Sequence, residues 1–208
     1  RKYEDDGPHL IYLPERPLTL EKFCADVQEV YSKYGRCVVA VSEGVENEKG
    51  ESIAAQFTGG EVDSHGNVQL SGTGALGDML AEYIKENTEI KRVRADTLGY
   101  LQRSFLGCVS ETDQEEARSV GEKAANYAIR DGKDGSVIMK RTGNYAISYD
   151  LTELKNVARL TKKMSDTYIN EAGNNVTEAF LNYARPLAGP LPEFALLDAP
   201  AVARILQK

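Results

Sequence analysis

The 208-residue sequence predicts an α/β fold, a parallel sheet flanked by helices, and three observations carry that prediction. A short apolar run, Leu10-Ile11-Tyr12-Leu13, precedes a segment of helical periodicity, and Cys37-Val38-Val39-Ala40-Val41 follows it. The second run has no polar alternation, the pattern of a strand covered on both faces in a parallel sheet. Strand and helix signals keep alternating downstream, as in α/β domains.

Each element follows from local chemistry. Leu10 to Leu13 is ended by Pro14 and reads as a buried strand. Thr19 suits a helix N-cap, because its hydroxyl can accept from an orphan N–H of the first turn. Leu20, Phe23, Cys24, Val27, Val30, Tyr31 and Tyr34 then recur at helical spacing, and Gly35 supplies the stop. With the strand Cys37 to Val41, the first 45 residues form a β-α-β unit, whose crossover should be right-handed.

Residues 46 to 71 are polar and Gly-rich and read as a long excursion, a kind of loop that tends to be functional. Leu76, Leu80, Tyr83 and Ile84 mark a second helix. Lys91 to Thr97 reads as a strand, with Val93 and Ala95 alternating against Arg92, Arg94 and Asp96. Ser110 with Asp113 resembles a helix-start signal. The helix it opens runs through Ala117, Val120, Ala124, Tyr127 and Ala128 to Asp131-Gly132.

Ser136 to Met139 and Tyr145 to Tyr149 are two strands around a Thr142-Gly143-Asn144 turn. A helix from about Thr177 to Tyr183, the prolines Pro186, Pro190 and Pro192, and a short helix at Ala199 to Leu206 complete the chain. The expectation is one domain over residues 1–208, with 150–208 a helical closing segment.

Composition narrows the function. The chain is 41% hydrophobic and 27% charged, an ordinary globular balance. A net charge of −7 argues against nucleic acid or an anionic membrane as the main partner. Apolar stretches are only a few residues long, too short to span a bilayer, and the start, Arg1 to Asp6, has no apolar core of a signal peptide. Cys24, Cys37 and Cys108 are widely spaced, and His9 and His65 lie far apart, so no zinc pattern exists. Reduced thiols in a cytoplasmic protein are expected.

Three places could carry chemistry. Glu43 follows the strand Cys37 to Val41 directly, and ligands of open α/β sheets bind outside the carboxyl ends of the strands. A carboxylate there can accept two sugar hydroxyls; the bland alternative is a loop acid facing water. The run from Arg94 to Arg103, with Tyr100, Leu101 and Gln102 inside it, brackets a strand and turn with two guanidinium groups. Arginine suits phosphate because its planar fork makes paired, charge-assisted bonds; solvated or salt-bridged arginines are the alternative. Gly72-Thr73-Gly74-Ala75-Leu76-Gly77 satisfies G-x-G-x-x-G, with Asp96 at about the dinucleotide distance, but Asn67 to Ser71 before it is short and polar where a buried strand is required. Close packing of a Gly-rich helix entrance explains the motif equally well.

The residues then suggest a family. Val39-Ala40-Val41-Ser42-Glu43-Gly44 resembles the strand end of 6-phosphofructokinases, and Arg94 to Arg103 is similar to that family's Arg-x-x-x-Leu-Gly-[His/Tyr]-x-Gln-Arg segment. Tyr100, where ATP-dependent bacterial enzymes usually carry His, resembles the pyrophosphate-dependent branch. So do Pro8 to Glu15, His65 to Leu70 and Asn175 to Phe180.

The resemblance implies the Rossmann-like, sugar-phosphate-binding half of the phosphofructokinase fold, in a glycolytic, cytoplasmic enzyme. That enzyme would phosphorylate the 1-hydroxyl of fructose 6-phosphate from pyrophosphate, or from ATP. Glu43 would hold sugar hydroxyls. Tyr100 and Arg103, with Leu101 and Gln102 between them, would bind the sugar or its 6-phosphate. Arg94 would reach the site of a neighbouring subunit, implying a homo-oligomer.

The family's donor loop, its Thr-x-Asp-x-Asp base segment and most of its magnesium ligands would lie upstream, so this chain alone should be inactive. A non-catalytic sugar-phosphate-binding regulatory domain of the same fold, and a dinucleotide-dependent oxidoreductase, remain the alternatives.

Overall fold

In a computed structural model, the structure describes residues 3–54, 75–99 and 105–191. The first strand, β1 (Leu10–Tyr12), leads into helix α1 (Leu20–Tyr34) and returns as β2 (Val39–Val41), paired parallel with β1 in the register Leu10 to Val39 and Tyr12 to Val41. The β-α-β unit predicted from hydrophobic patterning is therefore present.

Both ends of α1 form for the reasons its sequence gives. The Thr19 side chain accepts from the Lys22 N–H at 3.2 Å. At the other end Gly35 takes a left-handed φ of 69°, which costs glycine nothing, and its N–H donates to the Tyr31 carbonyl. Glu21 in the first turn and Lys33 in the last complement the helix dipole.

The α1 face carrying Phe23, Cys24 and Val27 packs with Leu10 and Tyr12 of β1 and with Leu76, Leu80 and Ile84 of α2 (Ala75–Asn87). Burying each large side chain of this cluster stabilises the fold by roughly 1.5–3 kcal/mol. Val45, fully buried, and Ile53 close the cluster from the loop after β2. That loop begins as a tight bridge between Glu46 and Ser52; the rest of the predicted excursion lies outside the described residues.

Two strand expectations change. β2 is not covered on both faces: Ala40 is exposed, and Val38 just before the strand is 50% exposed. Among the described residues β2 has a strand neighbour on one side only, so an apolar run that reads as doubly covered is left partly open. Lys91 to Thr97 joins no ladder. Val93 and Ala95 do point inward, as the alternation requires, but no neighbouring strand among the described residues offers the segment its hydrogen bonds.

The second half is built on helix α3 (Glu111–Ile129), capped by the Ser110 hydroxyl, which accepts from the Asp113 N–H at 3.0 Å. Strands β3 (Ser136–Gly143) and β4 (Ala146–Thr152) form an antiparallel hairpin, and α4 (Glu178–Ala188) follows. Helix α3 packs against β3 and α4 yet buries no side chain. Its Ala117, Ala124 and Ala128 are exposed. The expected terminal helix at Ala199 to Leu206 lies outside the described residues.

Among the described residues, a turn after the hairpin joins the two halves. The far edge of β1 is met by the Asn170–Asn175 turn: the Ile11 N–H donates to the Asn174 carbonyl at 2.8 Å, and Asn175 Nδ2 donates to the His9 carbonyl at 2.8 Å. Two groups that a third strand could bond, the Ile11 N–H and the His9 carbonyl, are bonded by this turn instead.

Candidate functional site

The parallel pairing fixes where a site can form. β1 and β2 run the same way, so their carboxyl ends open on one side, where α/β folds place their ligands. From β2 the chain enters a turn. Ser42 N–H donates to the Tyr12 carbonyl at 3.1 Å, Val45 N–H to the Ser42 carbonyl at 3.3 Å, and Gly44 N–H to Ser42 Oγ at 3.3 Å. Buried Val45 anchors the turn from below.

Glu43 sits at its tip, half-buried, and its carboxylate makes no hydrogen bond or ion pair among the described residues. Beside it, a Cβ on Gly44 would lie 3.5 Å from Pro14 Cβ, which holds the Pro14 turn after β1 close to the Glu43 turn after β2.

The Pro14 turn carries two further charged groups. Glu15 Oε1 accepts from the Met164 N–H at 3.0 Å, and Arg16 pairs with Asp166 at 3.3 Å. These contacts bring the chain between the hairpin and α4 to the carboxyl end of the small sheet.

Beneath them lies a cluster that sequence patterning did not single out. Asp26 on α1 receives three donors on one oxygen: Lys22 Nζ at 2.6 Å, the Tyr12 hydroxyl at 2.8 Å and Asn174 Nδ2 at 3.0 Å. Burial opposes ionisation of Asp26, but the hydrogen bonds from Lys22, Asn174 and Tyr12, with the Lys22 charge, outweigh it and hold the carboxyl below its usual range. The same cluster pushes the Tyr12 hydroxyl up, chiefly by burial and then by the Asp26 hydrogen bond and charge. Asp26 locks strand, helix and turn together. The Lys22–Asp26 spacing of four was legible; the contribution of Asn174, far along the chain, was not.

Arg94 lies on the segment that follows α2. Lys91 Nζ closes that helix by donating to the carbonyls of Lys85 at 3.0 Å and Thr88 at 2.9 Å. Val93 packs against the core, and a Cβ placed on Gly77 would stand only 3.1 Å from Ala95 Cβ. Gly77 thus serves as a close-packing position at the start of α2, while Gly72 and Gly74 lie outside the described residues. Arg94 itself is exposed and unpaired among the described residues, and nothing bonds it to Glu43. Tyr100, Leu101, Gln102 and Arg103 lie outside the described residues.

The described residues contain no group of three or more His, Cys, Asp or Glu side chains arranged to hold a metal ion.

Comparison with known proteins converges on one family. The phosphofructokinase profile matches residues 5–128. Over its whole length the chain is 53% identical to the pyrophosphate–fructose 6-phosphate 1-phosphotransferase of Rhodospirillum rubrum, covering 52% of that protein. It is 32% identical over 97% of its length to the protein of the same name from Xanthomonas campestris, covering 50% of it. The pyrophosphate-dependent phosphofructokinase of Nitrosospira multiformis superposes over 92% of this chain and 43% of its own, with a TM-score of 0.71 and 25% identity. The chain spans about half the length of the curated relatives it matches. With a family profile matching well over half of its residues, and a parallel sheet that carries Glu43 at its carboxyl end, this chain belongs to the phosphofructokinase family.

Proposed function

We propose that this chain supplies the fructose 6-phosphate-binding side of a pyrophosphate-dependent phosphotransferase. In that reaction the 1-hydroxyl oxygen attacks one phosphorus of pyrophosphate, the bridging P–O bond breaks, and fructose 1,6-bisphosphate and inorganic phosphate leave. The single observation that carries the reading is the Glu43 carboxylate, unpaired among the described residues and held in the Ser42–Val45 turn at the carboxyl end of two parallel strands. The names of the relatives in Rhodospirillum rubrum and Xanthomonas campestris supply substrate and donor.

Glu43 accepts sugar hydroxyls. Tyr100 and Arg103, with Leu101 and Gln102, form the remainder of the sugar-phosphate site, and Arg94 reaches the 6-phosphate bound by a neighbouring copy. Phosphoryl transfer depends on positioning and on charge stabilisation, and these residues position the acceptor. Donor loop, base and magnesium ligands belong to other parts of the enzyme, so the chain is inactive alone.

Residues 1–208 act as one substrate-binding region, with 150–208 as its closing segment; the docking of Asn174 and Asn175 on β1 supports this. Uncovered apolar side chains, Leu106 at 87%, Ile129 at 84% and Leu160 at 66% exposed, favour a chain that works against further polypeptide. No helix among the described residues is long and apolar enough to cross a membrane, and the substrates favour the cytoplasm.

Calorimetric titration of fructose 6-phosphate tests the reading. Glu43→Gln should weaken binding about 10-fold, the loss expected when charge-assisted hydrogen bonds become neutral ones. A wild-type chain that fails to bind the sugar phosphate would end the proposal. Adding the amino-terminal half of a related enzyme should restore turnover; binding without rescue would indicate a regulatory role instead.

A further inference from the structure

The run Lys91-Arg92-Val93-Arg94 sets three cations together, and among the described residues only one of them, Lys91, is bonded. Lys91 is spent on the carbonyls of Lys85 and Thr88 at the end of α2. Arg92 and Arg94 are both exposed and have no acid or hydrogen-bond partner among the described residues, in a chain whose net charge of −7 offers many acids.

Their placement is set by the residues between them. Exposure alternates along the segment: Arg92 and Arg94 exposed, Val93 and Ala95 half-buried. Val93 rests on the core, and Ala95 meets the start of α2 at Gly77. With that face fixed, the opposite face must present Arg92 and Arg94 together. Alternate residues of an extended chain stand about 6.5–7 Å apart, and two arginine side chains set so can converge on one group. Asp96, next in the alternation and also exposed, limits the cationic stretch to two guanidinium groups. That suits a single phosphate monoester rather than a polyanion.

We propose that Arg92 is a second phosphate-binding residue beside Arg94, the two guanidinium forks sharing the phosphate of the sugar phosphate. A phosphate monoester near neutral pH carries close to two negative charges, which one arginine leaves half-neutralised. Two forks also fix its orientation through paired hydrogen bonds. The inference rests on the role given above to Arg94 and extends it to a neighbour outside the Arg94–Arg103 segment.

The test is calorimetry of the full 208-residue chain with fructose 6-phosphate, and with fructose as a phosphate-free control, alongside thermal melting. Arg92→Ala should weaken fructose 6-phosphate binding about 10-fold, leave the melting temperature unchanged, and make no difference to fructose. Arg92→Lys should recover part of the loss, since it keeps the charge without the fork. Lys91→Ala should do the reverse, lowering the melting temperature and sparing affinity. If Arg94→Ala weakens binding and Arg92→Ala does not, or if Arg92→Ala weakens fructose equally, the inference falls and the role of Arg94 stands. If Arg94→Ala has no effect, or the wild-type chain does not bind, both fall.

Discussion

Arg141 on β3 gives the Asn182 carbonyl the hydrogen bond that helix α4 cannot. Within an α-helix that carbonyl would accept from the N–H four residues on, and position 186 is Pro186, which has none. Arg141 fills the gap from outside. One guanidinium nitrogen donates to Asn182 O at 3.1 Å and another to Tyr183 O at 2.9 Å, while the guanidinium lies over the rings of Tyr145 and Tyr183 at 5.0 and 5.5 Å. The hairpin and the proline-bearing helix are thereby fastened by one side chain. Thr112 and Ser110 continue the seam by donating to the carbonyls of Pro186 and Leu187.

Arg141→Met should therefore lower stability by about 1.5 kcal/mol, the lower end for hydrogen bonds from a charged donor because the site is partly open to water. Arg141→Lys should restore less than half, since one ammonium cannot copy the fork. Thermal melting of the three proteins decides it: equal melting temperatures for wild type and Arg141→Met would contradict the role.

Asp26 predicts an acid-dependent loss of stability. Its folded-state carboxyl is held below the ordinary value of 3.8. A lowered folded pKa contributes stability that is present above the unfolded value and is lost as pH falls through the folded one. Wild-type stability should drop below about pH 4, and Asp26→Asn, which carries no titrating proton, should lose that part of the slope. At neutral pH the same substitution should cost about 2–3 kcal/mol, because the buried Tyr12 hydroxyl and the half-buried Asn174 amide lose a charged acceptor. Denaturant melts at several pH values measure both; parallel pH profiles would refute the assignment.

Gly77 predicts a crowding effect with a specific cure. Gly77→Val puts a branched side chain where even a Cβ would stand 3.1 Å from Ala95 Cβ, and overpacking of this kind costs about 1–3 kcal/mol. Gly77→Val combined with Ala95→Gly should recover a measurable part of that loss. A double-mutant cycle with zero coupling would show that the two positions do not touch.

Thiol chemistry predicts an order of reaction. Burial pushes the Cys37 thiol up to about 11 and Cys24 is buried, whereas Cys108 is exposed. A thiol-disulfide reagent at pH 8 should label Cys108 first and reach the other two only as the protein unfolds. Mass-mapped labelling reads this directly, and early modification of Cys37 would count against the packing of β2.

Local chemistry alone determined the β-α-β opening, both caps of α1, the start of α3 at Ser110, the β3–β4 hairpin and the position of Glu43 at a strand end. In each case the signal and its consequence lie within a few residues: a hydroxyl three positions from an orphan N–H, a glycine free to turn left-handed, an apolar run broken by a turn. Glu43 was legible because a carboxylate just after an apolar run lands at the carboxyl end of a strand whatever else the chain does.

Tertiary structure alone decided the rest. No local pattern said that Asn174 would reach Asp26, that Arg141 would complete a helix interrupted by Pro186, or that Ala95 would be the group Gly77 meets. Nor could alternation at Lys91 to Thr97 show that the segment has no strand partner among the described residues. A side chain's direction is written in its immediate sequence, but the group it meets is supplied by chain folded in from far away.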